Sequence, residues 1–184
     1  IAGGGDSLMK LISCTIENFG KLNNVTYDFS GECNTICEDN GWGKSTLASF
    51  IRVMFYGFKN ESKKKLVDKE RNRLMPWQKG VYGGEIVFET GGVVYSLRRT
   101  FGKKQVDDEF LLVRKDTNVE CDDFSCDIGE ELFKIDAQSF ERTVFIGQSD
   151  CVTATTDSIN AKIGNLADNT DDTVSYTHLR AHET

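Results

Sequence analysis

Asn34-Thr35-Ile36-Cys37-Glu38-Asp39-Asn40-Gly41-Trp42-Gly43-Lys44-Ser45-Thr46-Leu47 sets an apolar run, a glycine turn, a lysine and a helix start in the order that phosphate binding needs. Thr35-Ile36-Cys37 predicts a short buried strand. Gly41 and Gly43 let the backbone reach φ > 0 and come close to a ligand. Lys44-Ser45-Thr46 then opens a helix whose amides and dipole attract anions. In such a loop the N–H groups of Asn40, Gly41, Trp42, Gly43, Lys44, Ser45 and Thr46 cradle phosphate, Lys44 neutralises the terminal phosphates, and the Ser45 hydroxyl coordinates Mg²⁺. The G-x-x-x-x-G-K-[ST] pattern wants glycine where this chain has Glu38, so that carboxylate must point away from the phosphates. An ordinary strand-to-helix turn with Lys44 in solvent is the competing reading. The long apolar helix that follows weighs against it.

That helix is written in Leu47, Phe50, Ile51, Met54, Phe55 and Phe58, a continuous stripe at helical spacing suited to packing on a sheet. Gly57 stands where a left-handed cap is expected.

The 184 residues, 39% of them hydrophobic, suffice for one medium domain with a real core. No apolar run is long enough to cross a bilayer, because Arg52 interrupts the best candidate. The cysteines at 14, 33, 37, 121, 126 and 151 form no paired C-x-x-C knuckles, which predicts reduced thiols in a cytoplasmic protein rather than zinc or a disulfide framework.

Both ends depart from the pattern between them. Residues 1–8 precede Met9, and Gly4-Gly5-Asp6 is what a purine-rich ribosome-binding sequence would encode, so residues 1–8 read as an untranslated leader. Residues 174–184 resemble the translation of a sequencing adapter. Both histidines, His178 and His182, lie in that tail, which makes histidine-based catalysis or metal binding improbable in residues 9–173.

The net charge of −7 hides a basic middle, residues 52–115, and a strongly acidic stretch over 116–173. The basic middle could face an anionic polymer; solvated strand edges and loops guarded by lysines account for it equally well.

Along the chain, Ile12, Cys14 and Ile16 alternate on one strand, and Val25, Tyr27 and Phe29 on a second after the turn at 20–24. Lys59 to Lys79 reads as a mobile surface loop with at most a short helical turn. Its exposed-looking Trp77 could touch DNA, though pinning the loop to the core is the commoner role. Residues 84–89 and 93–99 flank Gly91-Gly92 as a hairpin, residues 110–115 give a third strand, and 118–121 extend the meander. Residues 129–134 predict a short helix, Asp136 caps another, and Thr143-Val144-Phe145-Ile146-Gly147-Gln148 reads as a buried strand ending in a polar loop. Ile159, Ile163 and Leu166 begin an amphipathic helix.

Ile16-Glu17-Asn18-Phe19-Gly20, a second alternating strand and then Asn40-Gly41-Trp42-Gly43-Lys44-Ser45 resemble the opening of the SMC and SbcC-like ATPases, a group that includes RecF- and RecN-type repair proteins. The resemblance covers residues 9–166 and implies an α/β P-loop NTPase of the ABC/SMC head type, N-terminal half only, with an antiparallel β lobe. Residues 167–173 would start a helical or coiled-coil insertion. It further implies that Gln148 binds Mg²⁺ and the attacking water, that Arg98 or Arg99 approaches nucleotide or DNA, and that Lys44 and Gln148 are the catalytic pair. ATP and Mg²⁺ are the implied cofactors. The implied partners are a second head (a homodimer or the chain's own C-terminal half), DNA and a nuclease subunit. The Walker B carboxylates and signature serine of such heads are not visible, so this stretch alone is expected to hydrolyse ATP poorly or not at all. The rivals are a nucleotide-binding module without turnover, weakened by Glu38, and an ABC-type transporter ATPase. Against the transporter stands the three-strand insertion between Gly84 and Cys121.

Overall fold

A computed structural model describes residues 9–29, 31, 33–58 and 69–144. The chain divides into two compact units, Ile1–Lys134 and Ile135–Thr184.

The first unit is built on six strands: β1 (Lys10–Phe19), β2 (Leu22–Asp28), β3 (Gly83–Thr90), β4 (Val93–Thr100), β5 (Glu109–Arg114) and β6 (Val119–Glu120). They form one antiparallel sheet in the order β2-β1-β3-β4-β5-β6. The expected hairpin at Gly91-Gly92 joins β3 to β4, and the meander continues through β5 and β6 as its alternation implies. Sequence reasoning did not foresee that β1 pairs with β3. That pairing, Cys14 opposite Ile86 and Ile16 opposite Gly84, merges the opening hairpin and the β lobe into a single sheet.

The period of two divides the sheet into unlike faces. Cys14, Ile16, Ile86, Phe88, Leu97 and Leu112 are buried on one. Burial in that apolar layer pushes the Cys14 thiol up to about 12, so it stays neutral. On the other face polar side chains pair across strands: Thr15 with Thr26, Glu17 with Arg98 at 2.6 Å, and Lys115 with Glu85 at 3.2 Å.

Helix α1 (Lys44–Tyr56) covers the apolar face with Leu47, Phe50, Val53, Met54 and Phe55, all buried. Phe50 meets Phe19 edge-on with centroids 5.3 Å apart, and Phe55 meets Phe88 at 5.7 Å. The helix stops at Gly57, whose φ of 70° is positive as expected but whose ψ of −175° is extended rather than that of a left-handed cap, a backbone open to glycine; its N–H donates to the Val53 carbonyl at 2.7 Å. Phe58 lies past the helix end yet is buried against Phe19, Tyr82 and Phe101. Arg52 is also buried, which its role as the break in an apolar run gave no reason to expect. Its guanidinium meets Glu70 at 2.5 Å, so the charge is matched on the short helix α2 (Glu70–Arg73). Helix α3 (Ile128–Phe133) closes this unit, with Phe133 edge-on to Phe55 at 5.4 Å.

One strand expectation fails, and a second fails at its start. Residues 34–39 carry no regular structure, and Thr35 and Cys37 are exposed with Ile36 half-buried. The run passes over the surface without pairing: β1 is already flanked by β2 and β3, and among the described residues no strand is added outside β2, the edge strand on that side. In the second unit, Thr143 ends helix α4 (Ala137–Thr143) rather than opening a strand, and Val144 follows in a turn. Asp136 is the N-cap of α4 as expected. Its carboxylate accepts from the Ser139 N–H at 2.7 Å, and hydrogen bonding to Ser139 holds it below the usual carboxylate range. Residues 145–166, with the expected strand end, Gln148 and the amphipathic helix, lie outside the described residues, as do Lys63-Lys64-Lys65.

Phe50→Ala is predicted to destabilise the protein by about 3–5 kcal/mol, since it empties the contact between α1 and the sheet. Val119→Ala on the exposed β6 should stay within about 0.5 kcal/mol. Urea unfolding followed by circular dichroism measures both.

Candidate nucleotide site

The site begins where the sheet's first hairpin meets the start of α1. Gly43 immediately precedes the helix with φ 132°, a conformation open to glycine and strained for other residues. A β-carbon there would lie 2.9 Å from Leu22 Cδ2 and 3.3 Å from Lys21 Cε, so the loop rests directly on the β1–β2 turn. Trp42 is half-buried and meets Tyr27 of β2 edge-on at 5.8 Å, a second anchor. Gly41 has φ 87°, and the Trp42 N–H donates to the Asp39 carbonyl at 3.2 Å, tightening the turn.

Helix α1 has no side-chain cap at its N-terminus and no acidic residue in its first turn. The first amides of a helix have no acceptor within it, so this end presents donors and a positive dipole to an anion. Lys44 folds back over the loop, and its ammonium donates to the carbonyls of Glu38 at 2.5 Å and Asp39 at 3.1 Å. These bonds close a ring from Glu38 to Lys44. Glu38 is exposed and joins the ring through its backbone oxygen. Its departure from glycine is therefore accommodated without placing the carboxylate in the ring. Asn40, Lys44 and Ser45 are exposed, and Thr46 is half-buried.

The loop borders a pocket of about 430 Å³. Thr46 lines it from α1, Gly20 and Lys21 from the β1–β2 turn, Arg73 from the end of α2, and Leu74, Trp77 and Gln78 from the segment that follows. One contact ties the start of that segment to the hairpin, and two hold α2 before it. The Gly20 N–H donates to the Leu74 carbonyl at 2.6 Å, the Tyr82 hydroxyl to the Arg71 carbonyl at 3.1 Å, and Arg71 grips Asp108 with two bonds of 2.6 and 2.7 Å. Arg71 also stacks over Phe58 at 4.7 Å.

The structure thus brings Asn40 through Thr46 together as one loop and helix start. Gln148 lies outside the described residues. Arg99 is buried: it donates to the Cys126 carbonyl and covers the Phe110 ring at 4.9 Å, and burial lowers its pKa to about 10. That engagement is structural, and Arg98 is paired with Glu17 on the polar sheet face. Much of the described basic middle is likewise matched internally, as in Arg52–Glu70, Arg71–Asp108, Arg114–Asp116 and Lys115–Glu85. Trp77 does not pin its loop to the core, because it is 98% exposed. Sequence reasoning did not foresee that Arg73, Leu74, Trp77 and Gln78 line a pocket beside Thr46; the signal available was an aromatic followed by polar residues, Trp77-Gln78-Lys79. Among the described residues no group of acidic, cysteine or histidine side chains could hold a metal by itself. No described helix is long and apolar enough to cross a membrane.

Residues 13–178 match the sequence model of the AAA domain family. The chain belongs to this family, and the AAA domain is a P-loop NTPase fold, here mixed α/β with an antiparallel sheet. It is also similar to the uncharacterized protein YhaN of Bacillus subtilis (strain 168), with 35% identity over 82 residues, 44% of this chain. The matched stretch spans 8% of that relative's length.

Gly43→Ala is predicted to lower stability by about 1–3 kcal/mol, because the residue is held at positive φ and its methyl would meet Leu22. An unchanged urea midpoint would show that the loop does not rest on the hairpin.

Proposed function

We propose that this AAA-domain chain binds ATP with Mg²⁺ through Asn40–Thr46, as the front half of the head of an SMC/SbcC-like ATPase acting in DNA repair or chromosome maintenance. The observation that carries the reading is the Lys44 ring: an ammonium held by two loop carbonyls beside an uncapped helix start. Both carbonyl bonds can be exchanged for phosphate oxygens, which accept from the same ammonium and carry the charge it lacks. The helix amides complete the cradle.

The residues fit the cofactors the family uses. Ser45 stands exposed at the first turn of α1 and offers a hard oxygen donor for Mg²⁺, with the remaining ligands coming from phosphate and water. Gln148 would add a neutral amide to the metal and orient the attacking water. Bound Mg²⁺ would supply charge neutralisation between phosphates. Lys44 would hold the terminal phosphate, and the Asn40–Thr46 amides would orient the chain of phosphates.

Hydrolysis is assigned to the full-length protein, after association with a second head or with the chain's own C-terminal half. That partner would bring the activating carboxylate and the signature serine. DNA and a nuclease subunit are the further partners of this reading. The strands β3–β5 after α1 favour an SMC-like head over a transporter ATPase.

Isothermal titration calorimetry tests the proposal. Mg²⁺-dependent ATP binding is expected, and Lys44→Ala should weaken it at least about tenfold, the scale of losing a charged hydrogen-bond partner. Equal affinity in the variant would exclude the loop as the phosphate site.

A further inference from the structure

We infer that the pocket beside Thr46 is the base and ribose site of the bound nucleotide, with Trp77 as the platform on which the purine stacks. The inference rests on the phosphate-loop reading and extends it to the other end of the ligand.

The pocket is continuous with the loop through one residue. Thr46 lies on the first turn of α1, two positions after Lys44, and its side chain forms part of the pocket wall. A nucleotide whose terminal phosphates sit at Lys44 therefore has a concavity next to its path. At about 430 Å³ it falls in the range of small-molecule sites, roughly 300–1,000 Å³.

The chemistry of the walls suits a nucleoside. Trp77 is 98% exposed, so its indole is solvated on both faces and available to stack. Leu74 adds an apolar side chain to the lining, and the Gln78 amide offers both a donor and an acceptor to a ring edge or a ribose hydroxyl. Lys21 and Arg73 add two positive charges to the lining, suited to the phosphate that joins the ribose.

The chain that leads to Trp77 is anchored at Leu74, three residues before it. Leu74 is tied to Gly20 through its backbone, and Gly20 approaches Thr46 so closely that a β-carbon would lie 2.9 Å from its methyl. Helix α2 behind it is fixed by Arg71 to Asp108 and by Glu70 to Arg52.

The test compares Mg·ATP with inorganic tripolyphosphate, which carries the phosphates and no base, by calorimetry on the full chain. Trp77→Ala is expected to lower ATP affinity about tenfold or more, the effect of losing one base–aromatic stack, and to leave tripolyphosphate affinity unchanged. Trp77→Phe should restore most of the loss. A Trp77→Ala variant that binds both ligands as the parent does, or loses both equally, overturns the base site. If it keeps ATP affinity but loses affinity for single-stranded DNA, Trp77 belongs to a nucleic-acid surface and the inference is likewise overturned. The two readings fail differently. Tripolyphosphate bound by the parent and lost in Lys44→Ala keeps the phosphate loop whatever Trp77→Ala does. Absence of binding for both ligands in the parent removes the loop reading and the base site together.

Discussion

Leu22 and Lys21 lie so close beneath Gly43 that only a residue without a β-carbon can bring the loop down onto the β1–β2 turn. The start of α1 is thereby held at a set height above the sheet, with its first amides turned outward. Two other elements depend on the same seat. Trp42 reaches Tyr27 only from a loop lying on β2, and Lys44 can reach back to Glu38 and Asp39 only from a helix that begins at that point. Helix α1 then carries the constraint into the core, where Phe50 against Phe19 and Phe55 against Phe88 hold the helix to the sheet.

The second wall of the site is held by charge rather than by apolar packing. Arg52 is buried on α1 and needs an anion, which Glu70 supplies. Arg71 leaves α2 in the other direction and grips Asp108, just before β5. A short helix of four residues would have little stability alone. Between two arginine–carboxylate pairs it becomes a fixed strut that presents Leu74 and Trp77 beside the loop. Two arginines of the basic middle, Arg52 and Arg71, thus assemble this frame, and on the polar sheet face Arg98 is paired with Glu17.

Much of this was legible in the residues. Alternation over Ile12–Ile16 and Val25–Phe29, the Gly91-Gly92 turn and the Leu47–Phe55 stripe each encode a local period, and each became the element its period specifies. Asn40-Gly41-Trp42-Gly43-Lys44 was legible because positive φ and close approach restrict the residue type. What the sequence could not convey was pairing at a distance. Nothing local to Cys14 announces that it will sit opposite Ile86, so the union of two hairpins into one sheet was hidden. Thr35-Ile36-Cys37 misled in the same way: a three-residue apolar run becomes a strand only where it pairs, and here it pairs with none of the six strands. Trp77 misled for a related reason, since exposure depends on tertiary neighbours that Pro76 and Gln78 do not reveal.

The central claim is that residues 38–46 form a phosphate-binding loop, and hydrogen-exchange mass spectrometry of the chain with and without Mg·ATP addresses it most directly. Ligand-dependent protection should appear in peptides covering residues 38–47, where amides trade water for phosphate oxygens, while β5 and β6 stay unchanged. Protection confined to β5 and β6, or to the polar sheet face, with residues 38–47 unaltered at saturating nucleotide, would contradict the account.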